Sequence, residues 1–331
     1  MNQKTMECQE NKSRFDSAIH MIMSCGNHDG KRSVKLKGYS YIVIAACLWG
    51  ILGPISRFAF EEGVSPLEVA FWRALLAWGC FGIHAVLIRQ VRIARQDLAT
   101  IPIFGITGVA MFYGFYQLAI QNGGAAMASV LLYTAPAWVA VMAAFLFQEK
   151  MTWKKGTALF LTLIGIVGVS LAAGDSQTQS NLTISASGIL FGLLSGFCYS
   201  LYYIFGKHFS GRYSAPNLFL YILPIGALAL FPFVSFAPKS GSAWISLLTL
   251  AVVSTYAAYY FYYLGLQHLE ASRASITATL EPVVAAMVAF FWWKEYFGWT
   301  GYAGSLLILT AVIIMIADTG EKTDTALERN T

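Results

Sequence analysis

Residues 274–293 read ASITATLEPVVAAMVAFFWW, an apolar stretch with one acidic residue, Glu281, directly before Pro282. Residues 128–147 read ASVLLYTAPAWVAVMAAFLF, with the same Ala-Ser start and with Pro136 in the register of Pro282. Each stretch is long enough to cross a hydrocarbon core of roughly 30 Å as a helix. The two stretches therefore predict membrane-spanning helices in a chain that contains an internal repeat.

The composition agrees with a membrane protein. The 331 residues are 57% hydrophobic and only 12% charged, whereas a soluble domain carries roughly 25% charged residues. The sequence predicts an all-α polytopic membrane protein with ten transmembrane helices. We place the ten spans, from their apolar runs, at 39–60, 66–88, 98–118, 124–147, 155–173, 186–206, 216–236, 243–266, 273–293 and 298–317.

The positions of Lys and Arg predict the orientation. If the N-terminus lies inside, nearly all of these residues fall in inner segments, and the outer connections hold only Lys239 and Lys294. Positive residues accumulate on the cytoplasmic side of short loops, so we predict that both termini are cytoplasmic. The net charge of +5 is then a feature of membrane topology, and no nucleic-acid partner is expected.

The repeat extends well beyond the opening stretches. A shift of 146 residues superimposes Tyr113, Phe115, Tyr116, Gln121, Glu149 and Trp153 on Tyr259, Phe261, Tyr262, Gln267, Glu295 and Trp299. Because each half has five helices, the second half must enter the membrane from the opposite side, which predicts inverted repeats. The predicted organisation is a disordered tail (1–37), a first repeat (38–173), an outer linker (174–185), a second repeat (186–317) and a second tail (318–331).

Each half resembles an EamA-type module of the drug/metabolite transporter superfamily. The resemblance rests on the Trp49-Gly50 pair, on Ser65-Pro66, on Arg73 and on the two stretches quoted above, and it covers about 39–317. The resemblance implies a ten-helix carrier with a central substrate cavity in the bacterial inner membrane. It also implies a role that is often the export of amino acids or other metabolites.

Glu281 is the acidic residue that the sequence puts deep within a span. A charged group at the bilayer centre costs about 2.5–3.5 kcal/mol on insertion scales, and a buried carboxylate can take up a proton. Glu281 is therefore a candidate substrate contact and a candidate for proton coupling, with Thr277 one turn earlier on the same helical face. The alternative is a neutral Glu281 that hydrogen-bonds between helices. Pro282 predicts a local break of the helix at Glu281.

Arg73 and a group of aromatic residues complete the predicted binding site. Arg73 cannot lose its charge, so it would bind an anionic group such as an amino-acid carboxylate, pair with Glu68 or Glu281, or reach the outer surface. Aromatic rings that extend into the spans would line a semi-apolar cavity, or they would pack in the core or face lipid. The predicted wall residues are Trp49, Tyr116, Tyr133, Tyr199, Tyr203, Tyr256 and Tyr260.

The functional hypothesis is a secondary carrier that exports small metabolites such as amino acids by alternating access. The sequence has no Walker loop and no HExxH motif, so neither ATP-driven transport nor enzymatic activity is expected, and no cofactor. The alternatives are an importer of a cofactor, sugar or nucleotide-type metabolite, a membrane-embedded enzyme and a non-transporting scaffold. The expected partners are a small metabolite, protons if transport is coupled, and lipid, with the protein a monomer or weak homodimer. Glu149 and Glu295 are expected to cap helices or form ion pairs at the interface.

Overall fold

The computed structural model describes residues 33–175, 185–293 and 298–321 of the chain. These residues contain ten helices that are long and apolar enough to span a membrane, and no strand occurs among them. The prediction of an all-α protein with ten spans is confirmed. In chain order the spans, called helix 1 to helix 10, are Ser33–Phe60, Pro66–Leu87, Arg95–Gly124, Met127–Leu146, Trp153–Leu171, Ala186–Phe209, Ala215–Phe233, Gly241–His268, Ala271–Trp292 and Trp299–Asp318.

Several boundaries differ from those expected. Helix 1 begins at Ser33, inside the segment assigned to the tail, and helix 3 begins at Arg95 with a short 3₁₀ turn. Gly124 separates helix 3 from helix 4 with a φ of 82°, a conformation that glycine adopts without steric cost. Most of the predicted linker, residues 1–32 and 322–331 of the tails, and Glu295 lie outside the described residues.

The helices pack with an approximate two-fold relation between the halves. Helix 1 packs on helix 8, and the equivalent helix 6 packs on helix 3. In the same way, helix 1 packs on helix 9, and helix 6 packs on helix 4. Helices 2 and 7 pack against each other, and so do helices 5 and 10. Gly50 approaches Val284 of helix 9, and Gly196, which is 146 positions later, approaches Leu131 of helix 4. This arrangement is that of two inverted five-helix repeats.

Helices 4 and 9 are interrupted at equivalent positions near their middles. Helix 4 has a turn at residues 133–134 and resumes at Ala135, and helix 9 has a turn at residues 279–280 and resumes at Glu281. In both helices a proline follows as the second residue of the resumed segment, because proline lacks an amide hydrogen and constrains the residue before it. The predicted break near Glu281 is therefore present.

Helices 3 and 8 share a second irregularity. Each contains a π-helical segment, Ile106–Met111 in helix 3 and Leu250–Ala257 in helix 8. Such widened turns occur frequently at functional sites, because they free backbone carbonyls and redirect side chains. The four irregular helices form two pairs related by the repeat, and they carry Tyr113, Tyr133, Thr255 and Glu281 of the site described below.

Candidate functional site

Glu281 opens the second segment of helix 9. Its carboxylate lies in the first turn after the interruption, where unpaired backbone amides favour negative charge. The Tyr133 hydroxyl, at the interruption of helix 4, is a hydrogen-bond partner of this carboxylate, and Arg73 interacts with it electrostatically. Glu281 and Tyr133 are both half-buried. The two broken helices therefore bring a carboxylate and a hydroxyl together in the interior.

Arg73 supplies the opposite charge. Its side chain is 4% exposed, its Nε donates to Thr255 Oγ1 at 3.1 Å, and its guanidinium lies 5.7 Å from the centre of the Tyr113 ring. The Thr255 hydroxyl in turn donates to the carbonyl of Leu250, five residues earlier, at 3.0 Å. The π-helical segment of helix 8 therefore holds the hydroxyl that orients Arg73.

The suggested pairing of Arg73 with Glu68 is wrong. Glu68 is fully buried, forms an ion pair with Lys239, and accepts hydrogen bonds from the Trp72 indole at 3.2 Å and the Ala237 amide at 3.0 Å. The Lys239 ammonium also lies 5.5 Å from the Trp72 ring. Glu68 therefore fastens the connection between helices 7 and 8 to helix 2, and Arg73 interacts with Glu281.

Most of the predicted tyrosines surround Glu281. The carboxylate interacts electrostatically with Tyr116, Tyr199 and Tyr203, and the Tyr203 hydroxyl donates to the Tyr199 hydroxyl at 3.0 Å. Tyr116 and Tyr199 are half-buried. Trp49 is 5% exposed. Tyr116, Tyr133, Tyr199 and Tyr203 therefore form an aromatic wall around the Glu281 carboxylate, whereas Trp49 packs on Tyr259 and Tyr262.

Tyr256 and Tyr260 lie elsewhere. The Tyr256 hydroxyl is 2.8 Å from Nδ1 of His84, and its ring centre is 4.8 Å from that of Phe81. The Tyr260 ring lies 5.4 Å from His84. Among the described residues, no contact joins either tyrosine to Glu281. The two therefore belong to a separate cluster between helices 2 and 8.

Thr277 lies in the first segment of helix 9, before the interruption that precedes Glu281. It is fully buried, and its hydroxyl donates to the carbonyl of Arg273 within helix 9 at 2.8 Å. The expectation assumed a continuous helix, in which residues i and i+4 lie on one side. The turn at residues 279–280 interrupts that periodicity, and the placement of Thr277 beside Glu281 stays a prediction.

A network of ion pairs joins the two halves at one side of the membrane. We call this side, where helix 1 begins and helix 10 ends, the terminus side. Lys155 Nζ lies 2.7 Å from Glu270, which also accepts from Arg273 Nε at 2.8 Å. Arg273 donates to Asp318 at 2.5 Å. Burial alone would raise the pKa of Glu270, but hydrogen bonds from Lys155 and Arg273 outweigh this effect and lower it.

Glu149 belongs to the same network. Its carboxylate accepts from the Ala271 amide at 2.7 Å and from the Ser272 amide at 3.2 Å, and it lies 3.7 Å from Lys155 Nζ. Glu149 thus caps the N-terminus of helix 9 from the other half of the protein, in agreement with the prediction that it caps a helix or forms an ion pair. A cavity of about 310 Å³ adjoins the network and is lined partly by Lys150 and Lys207.

Sequence reasoning did not select several residues at this centre. Thr255, Tyr113 and Tyr259 contact or neighbour Arg73. Tyr113 and Tyr259 coincide under the shift of 146 residues, which was the available signal. No sequence pattern marks Thr255, because its role depends on the π-helical turn.

Comparison with known proteins places these features in one family. The model of the EamA-like transporter family matches residues 36–171 and 186–317. An uncharacterized transporter from Archaeoglobus fulgidus is 30% identical over 84% of this chain and 95% of its own length. The uncharacterized inner membrane transporter YicL from Salmonella typhimurium is 25% identical over 85% of this chain and 96% of its own length.

Two further similarities are more distant. A probable terminal-alkyne amino-acid exporter from Streptantibioticus cattleyicolor is 24% identical over 81% of this chain and 91% of its own length. Among the solved structures, a crystal structure of a protein matches with a TM-score of 0.70 at 19% identity, over 85% of this chain and 96% of that chain. At this identity the structural match shows the fold alone.

Proposed function

Because the chain belongs to the EamA-like transporter family, a family of non-enzymatic membrane transporters for small molecules, we propose that it is a secondary carrier that exports amino acids. The observation that supports this substrate is the electrostatic interaction of Arg73 with Glu281, beside which several tyrosines lie. A free amino acid carries one carboxylate and one ammonium group, which these two side chains would bind separately. The named exporter among the relatives is consistent with this class.

The interior chemistry favours a zwitterion over a strongly anionic solute. Arg73 is the guanidinium beside the site, and Glu281 would repel a phosphate or a dicarboxylate. A zwitterion satisfies both charges, and its side chain would lie against the rings of Tyr116, Tyr133 and Tyr199, which offer apolar and cation–π contacts. The mechanism is alternating access, in which two inverted repeats exchange conformations about a central site.

The proposed setting is a bacterial inner membrane with both termini in the cytoplasm. The charge distribution of the loops supports this orientation through the positive-inside rule, and a relative is named as an inner membrane transporter. In this orientation the terminus side is cytoplasmic. Protonation of Glu281 when the substrate leaves would couple export to a proton gradient.

Flux through reconstituted vesicles tests the substrate. Vesicles loaded with unlabelled L-amino acids are offered one labelled amino acid, its N-acetyl derivative and its methyl ester in parallel. We expect exchange of the free amino acid alone. Glu281→Gln should abolish the discrimination against the N-acetyl derivative, and Arg73→Gln should abolish discrimination against the ester. Glu61→Gln, which removes an exposed carboxylate paired with Arg57, is the control.

Three outcomes would refute parts of the proposal. If the wild-type protein exchanges no amino acid but exchanges a sugar, cofactor or nucleotide, the substrate class is wrong. Unchanged flux and unchanged pH dependence in Glu281→Gln would remove Glu281 from the mechanism. Metabolite profiling of cells that lack the protein tests direction, since export predicts intracellular accumulation of the substrate and import predicts depletion.

A further inference from the structure

Residues that the repeat makes equivalent differ in exposure. Tyr116 is half-buried beside Glu281, whereas its counterpart Tyr262 is fully buried. Residues 271–279 of helix 9 are all buried, but several of the corresponding residues of helix 4 are half-buried. The side chains around Glu281 are therefore packed less tightly than their counterparts toward the terminus side, as in a carrier that is closed on that side.

The closed part contains a set of packed rings, called here the aromatic plug: Trp49, Tyr202, Tyr203, Tyr259 and Tyr262. The Tyr262 ring lies 5.2 Å from Trp49, 5.6 Å from Tyr202 and 5.4 Å from Tyr203, between ring centres. Tyr202 lies 5.3 Å from Tyr259. The plug joins helices 1, 6 and 8 into one contact.

The plug lies between the Glu281 site and the ion-pair network. Helix 8 carries in sequence Thr255, which binds Arg73, then Tyr259 and Tyr262, and ends just before Glu270 of the network. In helix 6, Tyr203 of the plug hydrogen-bonds Tyr199 of the site, and Lys207 one turn later donates to the carbonyls of Leu266 and Leu269 at 2.7 and 2.6 Å. The same order occurs along both helices.

Two hydroxyls in the plug have no hydrogen-bond partner. The hydroxyls of Tyr202 and Tyr262 are buried, with 2% and 0% of each residue exposed, and neither bonds to a protein group among the described residues. A buried hydroxyl without a partner destabilises the state in which it occurs. Tyr263 also has a buried hydroxyl without a partner, but Tyr202 and Tyr262 lie between the Glu281 site and the ion-pair network, so opening there would give their hydroxyls access to new partners.

We propose that Tyr202 and Tyr262 contact the substrate when the protein opens to the terminus side. The inference rests on the proposed carrier function. Opening of the ion-pair network would separate the plug, and the two hydroxyls would then face the route and donate hydrogen bonds to the carboxylate of an amphipathic, zwitterionic substrate. Tyr262 would act on the terminus side as its counterpart Tyr116 acts beside Glu281 on the opposite side.

Cysteine accessibility tests the geometry without a known substrate. Tyr262→Cys and Tyr116→Cys are introduced separately into a chain whose five native cysteines are replaced, and vesicles of each orientation are treated with a membrane-impermeant maleimide. We expect Tyr262→Cys to react from the terminus side and Tyr116→Cys from the opposite side. Adding Glu270→Gln should accelerate the first reaction about tenfold and slow the second, since it weakens the network.

Accessibility also gives a result that overturns the proposal. Tyr262→Cys that resists labelling from both sides, even with Glu270→Gln, while Tyr116→Cys reacts, would show that the plug never opens. Labelling of Tyr262→Cys from the opposite side would also refute the proposal. Because the assay needs no transport, it separates this proposal from the choice of amino acids as substrate.

Side-specific kinetics test the hydroxyls themselves. Tyr202→Phe and Tyr262→Phe keep the rings, and each should raise KM about tenfold for substrate offered on the terminus side, with KM on the opposite side unchanged. Tyr263→Phe is the matched control, since Tyr263 is also buried with an unpartnered hydroxyl but packs on Phe219, outside the plug. Equal effects of all three variants, or none from the first two, would refute the proposal.

Discussion

Glu149→Gln offers a direct test of the ion-pair network. The Glu149 side chain is 7% exposed, and it accepts two backbone hydrogen bonds from the first residues of helix 9. Glutamine keeps one acceptor oxygen, but its amide group would face a donor. A hydrogen bond to a charged group contributes about 1.5–3 kcal/mol. The closed form of the terminus side should therefore lose about this amount relative to the open form.

That free energy corresponds to a shift of about 10- to 150-fold in the equilibrium between the two forms. Amide hydrogen exchange followed by mass spectrometry measures the shift in peptides covering residues 269–277. We expect exchange there to accelerate by that factor in Glu149→Gln, because the Ala271 and Ser272 amides lose their acceptor. The Glu61→Gln control alters an exposed ion pair with Arg57 and should change nothing in these peptides.

Two results would contradict the reasoning. Unchanged exchange at residues 269–277 would mean that Glu149 does not stabilise the closed form. Faster exchange throughout the protein would mean that Glu149 supports the whole fold, and the variant would then report general stability. Only acceleration confined to the terminus side is consistent with a contact that breaks during opening.

Three further predictions concern stability and pH. Lys239→Met should destabilise the fold by about 3–5 kcal/mol, because it leaves the buried Glu68 carboxylate without a counter-charge, and adding Glu68→Gln should restore much of the thermal midpoint. Gly304→Ala should lower the free energy of unfolding by about 1–3 kcal/mol through overpacking, since a Cβ there would lie 2.8 Å from the Val169 nitrogen. At Gly53 a Cβ would meet no atom within 4 Å, so Gly53→Ala should be neutral in the same assay. The pKa of Glu270 is lowered, so its ion pairs are fully formed above its ordinary pKa and are lost only as the pH falls through the lowered value. Glu270→Gln should therefore leave the shape of the pH profile of flux unchanged between about pH 6 and pH 8. An altered shape in that range would contradict this assignment.

The sequence by itself determined the class of protein and its symmetry. Apolar runs of spanning length can be stable only in lipid, where helices satisfy their own backbone hydrogen bonds. The shift of 146 residues then predicted two inverted halves, because an odd number of spans reverses the second half. Glu281 and Arg73 were identified because a charge within a span must have a partner.

Only the tertiary structure decided which residues share a site. Thr277 precedes the interruption of helix 9 and Glu281 follows it, so the spacing of a continuous helix does not fix how the two residues lie relative to each other. Thr255 orients Arg73 through a π-helical turn, and Glu149 reaches helix 9 from the other half. Such contacts join residues more than a hundred positions apart. Their geometry depends on how ten helices pack around irregular segments, which local sequence patterns do not encode.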